Sequence, residues 1–150
     1  MKILEKYDLE QIKHLIPISS YSTKAGFTGF ASPAENYLNN RLSLDSLYIR
    51  SPINTYAVKV SGNSMEKARI FDGDILIIHT DTYSSFNDLI NRIVVAVVDG
   101  ETVVKILAKI DEKFYFVSEN DDYPPVLVTE SMEAVVRGQV TSVHRAIVNI

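Results

Sequence analysis

Cysteine is absent from the 150 residues, which excludes a disulfide scaffold, a thiol nucleophile and any thiolate metal site. Histidine is scarce, and His14, His79 and His144 are too few and too scattered for a histidine-rich metal centre. Six glycines and five prolines, with no low-complexity tract, exclude collagen-like and disordered classes. No run approaches 18 consecutive apolar residues, so no membrane-spanning helix is expected. Charges at Lys2, Glu5 and Lys6 break what would be the apolar core of a signal peptide, so the expected setting is soluble and cytoplasmic. Neither G-x-x-x-x-G-K nor G-x-G-x-x-G occurs, which leaves nucleotide phosphates without an anchor. A formal charge of −4 offers no broad cationic face to nucleic acid.

What is present is the material of a folded domain: 46% hydrophobic and 23% charged residues, in a chain long enough to bury roughly 68–70% of its unfolded surface. Asp8 reads as the cap of a short helix over Leu9–Ile16 that Pro17 stops. The polar stretch 18–30 reads as exposed and extended. Ser32-Pro33-Ala34-Glu35 combines an N-cap serine, a first-turn proline and a capping-box glutamate, which predicts a short helix to about Asn40. After residue 55 the period becomes that of strands. Strands are predicted at Thr55–Ser61, Asp74–His79, Ile93–Val98, Glu101–Leu107, Lys113–Ser118, Val126–Thr129 and Ala134–Val143. Asp99-Gly100 is the strongest hairpin signal in the chain, and Asp111-Glu112 is a second tight turn. The expected fold is mostly β, a folded-over antiparallel sheet or partial barrel.

Few residues are candidates for chemistry. His79 closes an aliphatic strand and is the only plausible histidine base, although a structural role fits it better. The carboxylate pairs Asp72/Asp74, Asp111/Glu112 and Asp121/Asp122 fall in turn-like sequence, where solvated side chains are expected. Lys105 stands in an otherwise apolar strand, so it either snorkels at a sheet margin or is partly desolvated. A desolvated lysine loses charge more readily, and a neutral amine is a competent general base. Ser64 follows Gly62 at a strand break. It is either a turn residue or a hydroxyl exposed beside backbone N–H groups. Together Ser64 and Lys105 form a Ser-Lys pair, a variant of serine hydrolysis that needs no histidine.

The segment Tyr56-Ala57-Val58-Lys59-Val60-Ser61-Gly62-Asn63-Ser64-Met65 resembles the nucleophile segment of the LexA/UmuD family of self-cleaving serine peptidases. Ile70-Phe71-Asp72-Gly73-Asp74-Ile75-Leu76-Ile77 is similar to the segment that follows it. Val97-Val98-Asp99-Gly100-Glu101-Thr102-Val103-Val104-Lys105-Ile106-Leu107 resembles the hairpin that delivers the lysine. Upstream, Ala25-Gly26-Phe27 resembles the scissile site, and Ser32-Pro33-Ala34-Glu35-Asn36-Tyr37 the segment after it in UmuD-type members. The matches run in order from about residue 24 to 145. Two departures stand out. Lys105 follows Ser64 by 41 positions, a longer interval than the family pattern, with the excess in Thr80–Arg92. The stretch Met65–Arg69 also lacks an expected glycine.

The resemblance implies a removable arm over residues 1–25 and a peptidase-fold core over 26–150. It implies that Ser64 attacks the carbonyl of Ala25 while Lys105 serves as base and then acid, and that backbone N–H groups of Ser64 and Met65 hold the oxyanion. Thr28-Gly29 is a competing scissile bond. No cofactor or metal is implied. Only 25 residues precede Gly26, too few for a three-helix DNA reader, so sequence-specific DNA binding is not expected and the UmuD-like branch is favoured. That branch implies a homodimer, stimulation by a RecA–single-stranded DNA filament, and service to an error-prone Y-family (UmuC-like) polymerase in the SOS response. The alternative is a cleavage-deficient, non-enzymatic dimerisation or regulatory module, suggested by the longer Thr80–Arg92 segment.

Overall fold

The computed structural model describes residues 15–17, 41–129 and 134–148. The Ala25-Gly26 bond, the stretch 18–30 expected to be extended and the helix expected from Ser32 to about Asn40 lie outside them. The chain divides into two compact units, residues 1–50 and 51–150.

In the first unit, β1 (Leu15–Pro17) pairs antiparallel with β2 (Arg41–Ser43). This corrects the C-terminal end of the predicted Leu9–Ile16 helix, whose residues 9–14 lie outside the described residues. Proline disfavours the α region for the residue before it, so Ile16 is extended and finds its backbone partner in Leu42. A five-residue helix, α1 (Leu44–Tyr48), follows at once, with the Ser43 hydroxyl accepting from the Ser46 N–H.

The second unit is one antiparallel sheet of seven strands: β3 (Thr55–Lys59), β4 (Ile75–His79), β5 (Arg92–Val98), β6 (Glu101–Ile110), β7 (Lys113–Val117), β8 (Val126–Leu127) and β9 (Ala134–His144). Their order in space is β3-β4-β9-β5-β6-β7-β8. Each predicted strand is present to within a few residues. Asp99 and Gly100 both take positive φ, as a two-residue hairpin between β5 and β6 requires. Asp111 and Glu112 make the same kind of turn without glycine.

The apolar run of β5 is explained by its two faces. Val95 belongs to a core cluster with Met65, Ile70, Leu76 and Ile78. Its neighbours Val94 and Ala96 belong to a second cluster with Leu89, Leu107 and Phe116. Alternation sends successive side chains to opposite faces, so a strand buried on both reads as continuous hydrophobicity. The long Thr80–Arg92 segment contributes Leu89 to this core, with Tyr83 and Phe86 packed against it. Ser85 and Asp88 form a capping box on a 3-10 turn over Phe86–Leu89, Leu89 is fully buried, and Phe86 packs edge-on against Phe114.

The sheet folds over about β9. Its register slips by one residue against both neighbours, between Ile77 and Ile78 on β4 and between Val95 and Ala96 on β5. Such bulges bend a strand and sharpen its twist. Gly138 lies between them at a place of close approach, where a Cβ would stand 2.4 Å from Ile78 Cγ2 and 3.1 Å from the His79 carbonyl oxygen. Gly138→Ala is therefore expected to destabilise the second unit by about 1–3 kcal/mol, read as a lower urea midpoint with the m-value unchanged.

Candidate active site

Ser64 lies just beyond the end of β3. The β3–β4 ladder stops at the Lys59–Ile75 pair. Val60 then donates its N–H to Asp74 O and accepts from the Gly73 N–H, both at 2.8 Å. Gly62 takes φ +92°, a conformation that glycine adopts without a Cβ penalty, and its N–H donates to Asp72 Oδ1 at 2.9 Å. The chain turns through Asn63–Met65 into a 3-10 turn over Glu66–Ala68. The Met65 side chain, 2% exposed, anchors this turn in the first core cluster. Ser64 is thus carried half-buried beside a fixed apolar anchor. The Glu66 N–H donates to Asn63 O. Among the described residues, no hydrogen bond occupies the N–H of Ser64 or Met65.

Lys105 is held on β6 directly across from Val94, which is fully buried. Val103 and Leu107, two positions away on either side, belong to the second core cluster. Directly opposed residues on adjacent strands share a face, so the lysine stem runs against apolar neighbours. Burial pushes its amine below the ordinary lysine range. Nζ donates to Ser118 Oγ and lies 5.2 Å from the centre of the Tyr123 ring. Among the described residues, no carboxylate pairs with it.

Both residues open on one cleft of about 350 Å³, bounded by residues 58–65 on one side, residues 102–105 on the other, and Tyr123. In the sheet β4, β9 and β5 separate β3 from β6, so only the fold-over brings the two walls together. The lysine's hydrogen bond goes to Ser118 rather than to Ser64.

A model of the Peptidase S24-like family matches residues 17–141, which span the Ser64 turn and all of β6. The chain belongs to the Peptidase S24-like family. It is similar to Protein MucA from Salmonella typhimurium, 35% identical over 122 residues covering 81% of this chain and 78% of that protein. Protein MucA from Escherichia coli matches to the same extent. A LexA repressor from Glaesserella parasuis is 46% identical over 78 residues, 52% of this chain and 35% of the repressor. The resemblance to the LexA/UmuD family read from the motifs stands with these matches.

Within this S24-like core the other candidates sort out by burial. His79 is 6% exposed, with Nδ1 2.6 Å from Thr141 Oγ1, and it does not line the cleft. Asp74 overturns the expectation of a solvated turn carboxylate: it is 1% exposed. The reason is Arg145, whose Nε and Nη2 both donate to it while its guanidinium stacks 4.6 Å from the Phe71 ring centre. Asp72, Asp111, Glu112, Asp121 and Asp122 are exposed as expected. Sequence reading missed Ser118, Asn120 and Tyr123. The aromatic residue just before Pro124-Pro125 was the one signal that could have marked them, because prolines after an acidic turn fix how the loop leaves β7.

Arg145 holds the Asp74 carboxyl below the usual carboxylate range, through its hydrogen bonds first, against the opposing effect of burial. A depressed folded-state pKa contributes stability above the unfolded value and loses it as pH falls through the folded one. Arg145→Met leaves the buried carboxylate with the Phe71 N–H as its one donor among the described residues, and is expected to lower the urea midpoint at pH 7. Below about pH 4 the deficit against wild type should shrink. Urea unfolding at both pH values measures it.

Proposed function

We propose that this chain is a UmuD-like, self-cleaving serine peptidase of the SOS response, in which Ser64 and Lys105 cut the Ala25–Gly26 bond. The observation that carries the reading is the cleft itself, which brings a serine on a sharp turn and a desolvated, carboxylate-free lysine to the same space. Neutral Lys105 takes the Ser64 hydroxyl proton as Oγ bonds to the Ala25 carbonyl carbon. The N–H groups of Ser64 and Met65 receive the developing oxyanion. As the C–N bond breaks, the Lys105 ammonium returns its proton to the Gly26 amine. Water, deprotonated by the same amine, then hydrolyses the acyl-serine and frees a carboxylate on Ala25.

The strand edges support an extended peptide as substrate. β3 is one of the sheet's two edge strands and, among the described residues, pairs only with β4. On β6 the β7 ladder begins at Ile106, so among the described residues Glu101–Lys105 has no strand partner on that side. A chain segment with small residues at the scissile bond can lie along such edges through main-chain hydrogen bonds. In this reading a RecA–single-stranded DNA filament promotes docking of the arm, residues 1–25, and the trimmed core acts as a homodimeric accessory subunit of a Y-family translesion polymerase. The alternative is a cleavage-deficient, non-enzymatic dimerisation or regulatory module, for which the long Thr80–Arg92 segment, anchored by Leu89 in the second core cluster, is the motive.

Incubating the full chain at rising pH tests the chemistry. Below the lysine's pKa, the cleavage rate should climb about tenfold per pH unit and level off below about pH 10.4, where an ordinary lysine would titrate. N-terminal sequencing should read Gly26-Phe27, and neither Ser64→Ala nor Lys105→Ala should yield the fragment. A chain that stays intact at every pH, and with activated RecA, returns the choice to the non-enzymatic module.

A further inference from the structure

We propose that Ser118 is the positioning residue of the Lys105 amine, and that the loop leaving β7 is the clamp that keeps Ser64 and Lys105 in register. The inference rests on the Ser-Lys reading above and adds to it a residue outside both motifs.

The need for a clamp follows from topology. Hydrogen-bond ladders fix neighbours in a sheet, but β4, β9 and β5 lie between the strand that leads to Ser64 and the strand that carries Lys105. Side-chain packing through Met65 sets their approach, yet packing does not aim a flexible four-carbon lysine stem. The loop after β7 touches both sides. At its start, Ser118 Oγ accepts from Lys105 Nζ. One residue on, the Glu119 N–H donates to Met65 Sδ at 3.4 Å, and Glu119 O accepts from the Lys67 N–H at 2.8 Å. Asn63, which precedes the serine, is held twice: Asn120 Nδ2 donates to its carbonyl oxygen at 2.9 Å and the Tyr123 hydroxyl to its Oδ1 at 3.1 Å. The loop is itself tied, the Tyr123 N–H donating to Asn120 O at 3.1 Å.

The direction of the Ser118 bond suits a general base. A neutral amine has two N–H groups and one lone pair. With one N–H spent on Ser118 Oγ, the stem is oriented and the lone pair stays available for the Ser64 proton. After proton transfer, the same oxygen continues to accept from the ammonium, and the Tyr123 ring face, 5.2 Å away, favours that charge. A carboxylate in place of Ser118 would hold the proton instead. The other ionisable groups lining the cleft are Lys59 and Tyr123.

The test compares Ser118→Ala and Ser118→Thr across the pH–rate profile of full-length chain. Ser118→Ala should lower the cleavage plateau about 100-fold, the scale expected of a misaimed catalytic group. Its midpoint should also move to lower pH, because an acceptor that favours the ammonium is gone. Ser118→Thr keeps the hydroxyl and should restore both. The Lys105 side-chain amine is also followed by NMR titration in the non-cleaving Ser64→Ala chain, where Ser118→Ala should lower its midpoint in the same direction. A wild-type plateau and midpoint in Ser118→Ala overturn the proposal while leaving the peptidase reading intact. A plateau lost with an unmoved midpoint and no rescue by threonine also overturns it, marking a purely structural residue. Should wild type itself fail to cleave, the peptidase reading falls, and the NMR midpoint alone decides Ser118: a downward move supports its hold on the amine, and no move refutes it.

Discussion

Because β5 has no solvent face, the sheet that contains it has to fold over until apolar side chains cover both sides. Val94, Val95 and Ala96 are each 1% exposed or less, yet alternate between two core clusters. The two register slips on β9 and the bare backbone at Gly138 make the bend sterically feasible. From that bend follows the cleft, since strands separated by three others in the ladder order come to face each other across it.

The treatment of buried charge differs sharply between the two ends of the core. Asp74, which is almost wholly buried, receives a full partner in Arg145, and the pair fastens the Phe71–Asp74 turn that braces Val60 and Gly62. Lys105 is partly desolvated, and among the described residues its amine meets the Ser118 hydroxyl and the Tyr123 ring but no carboxylate. An ion pair would stabilise the ammonium and hold its proton. With no carboxylate against it among the described residues, burial holds the amine below the ordinary lysine range. The first arrangement suits a strut, the second a base.

Strands and turns were legible in the residues. Period-two alternation, the Asp99-Gly100 turn and the aliphatic runs of β4 and β5 each carry local information, and each appears where expected. The proposed pair, Ser64 and Lys105, was read from a serine at a strand break and a lysine among aliphatics, and the structure sets both on one cleft. The burial of Asp74 was not legible, because its partner is 71 positions away and no local pattern announces such a distant pair. The extended state of Ile16 was legible in principle from Pro17, but the helical signals before it outweighed that cue.

By itself the amino-acid order determined the mostly-β class, the hairpins and, through the absence of cysteine, the exclusion of thiol chemistry. These follow from propensities and side-chain inventories that act over a few residues. Only the tertiary structure decided that Ser64 and Lys105 share one cleft, that Asp74 is a paired strut, and that Ser118, Asn120 and Tyr123 join the site from a third segment. Those outcomes depend on how far the sheet bends and on which distant groups are desolvated together, quantities set by long-range packing rather than by any stretch of neighbours.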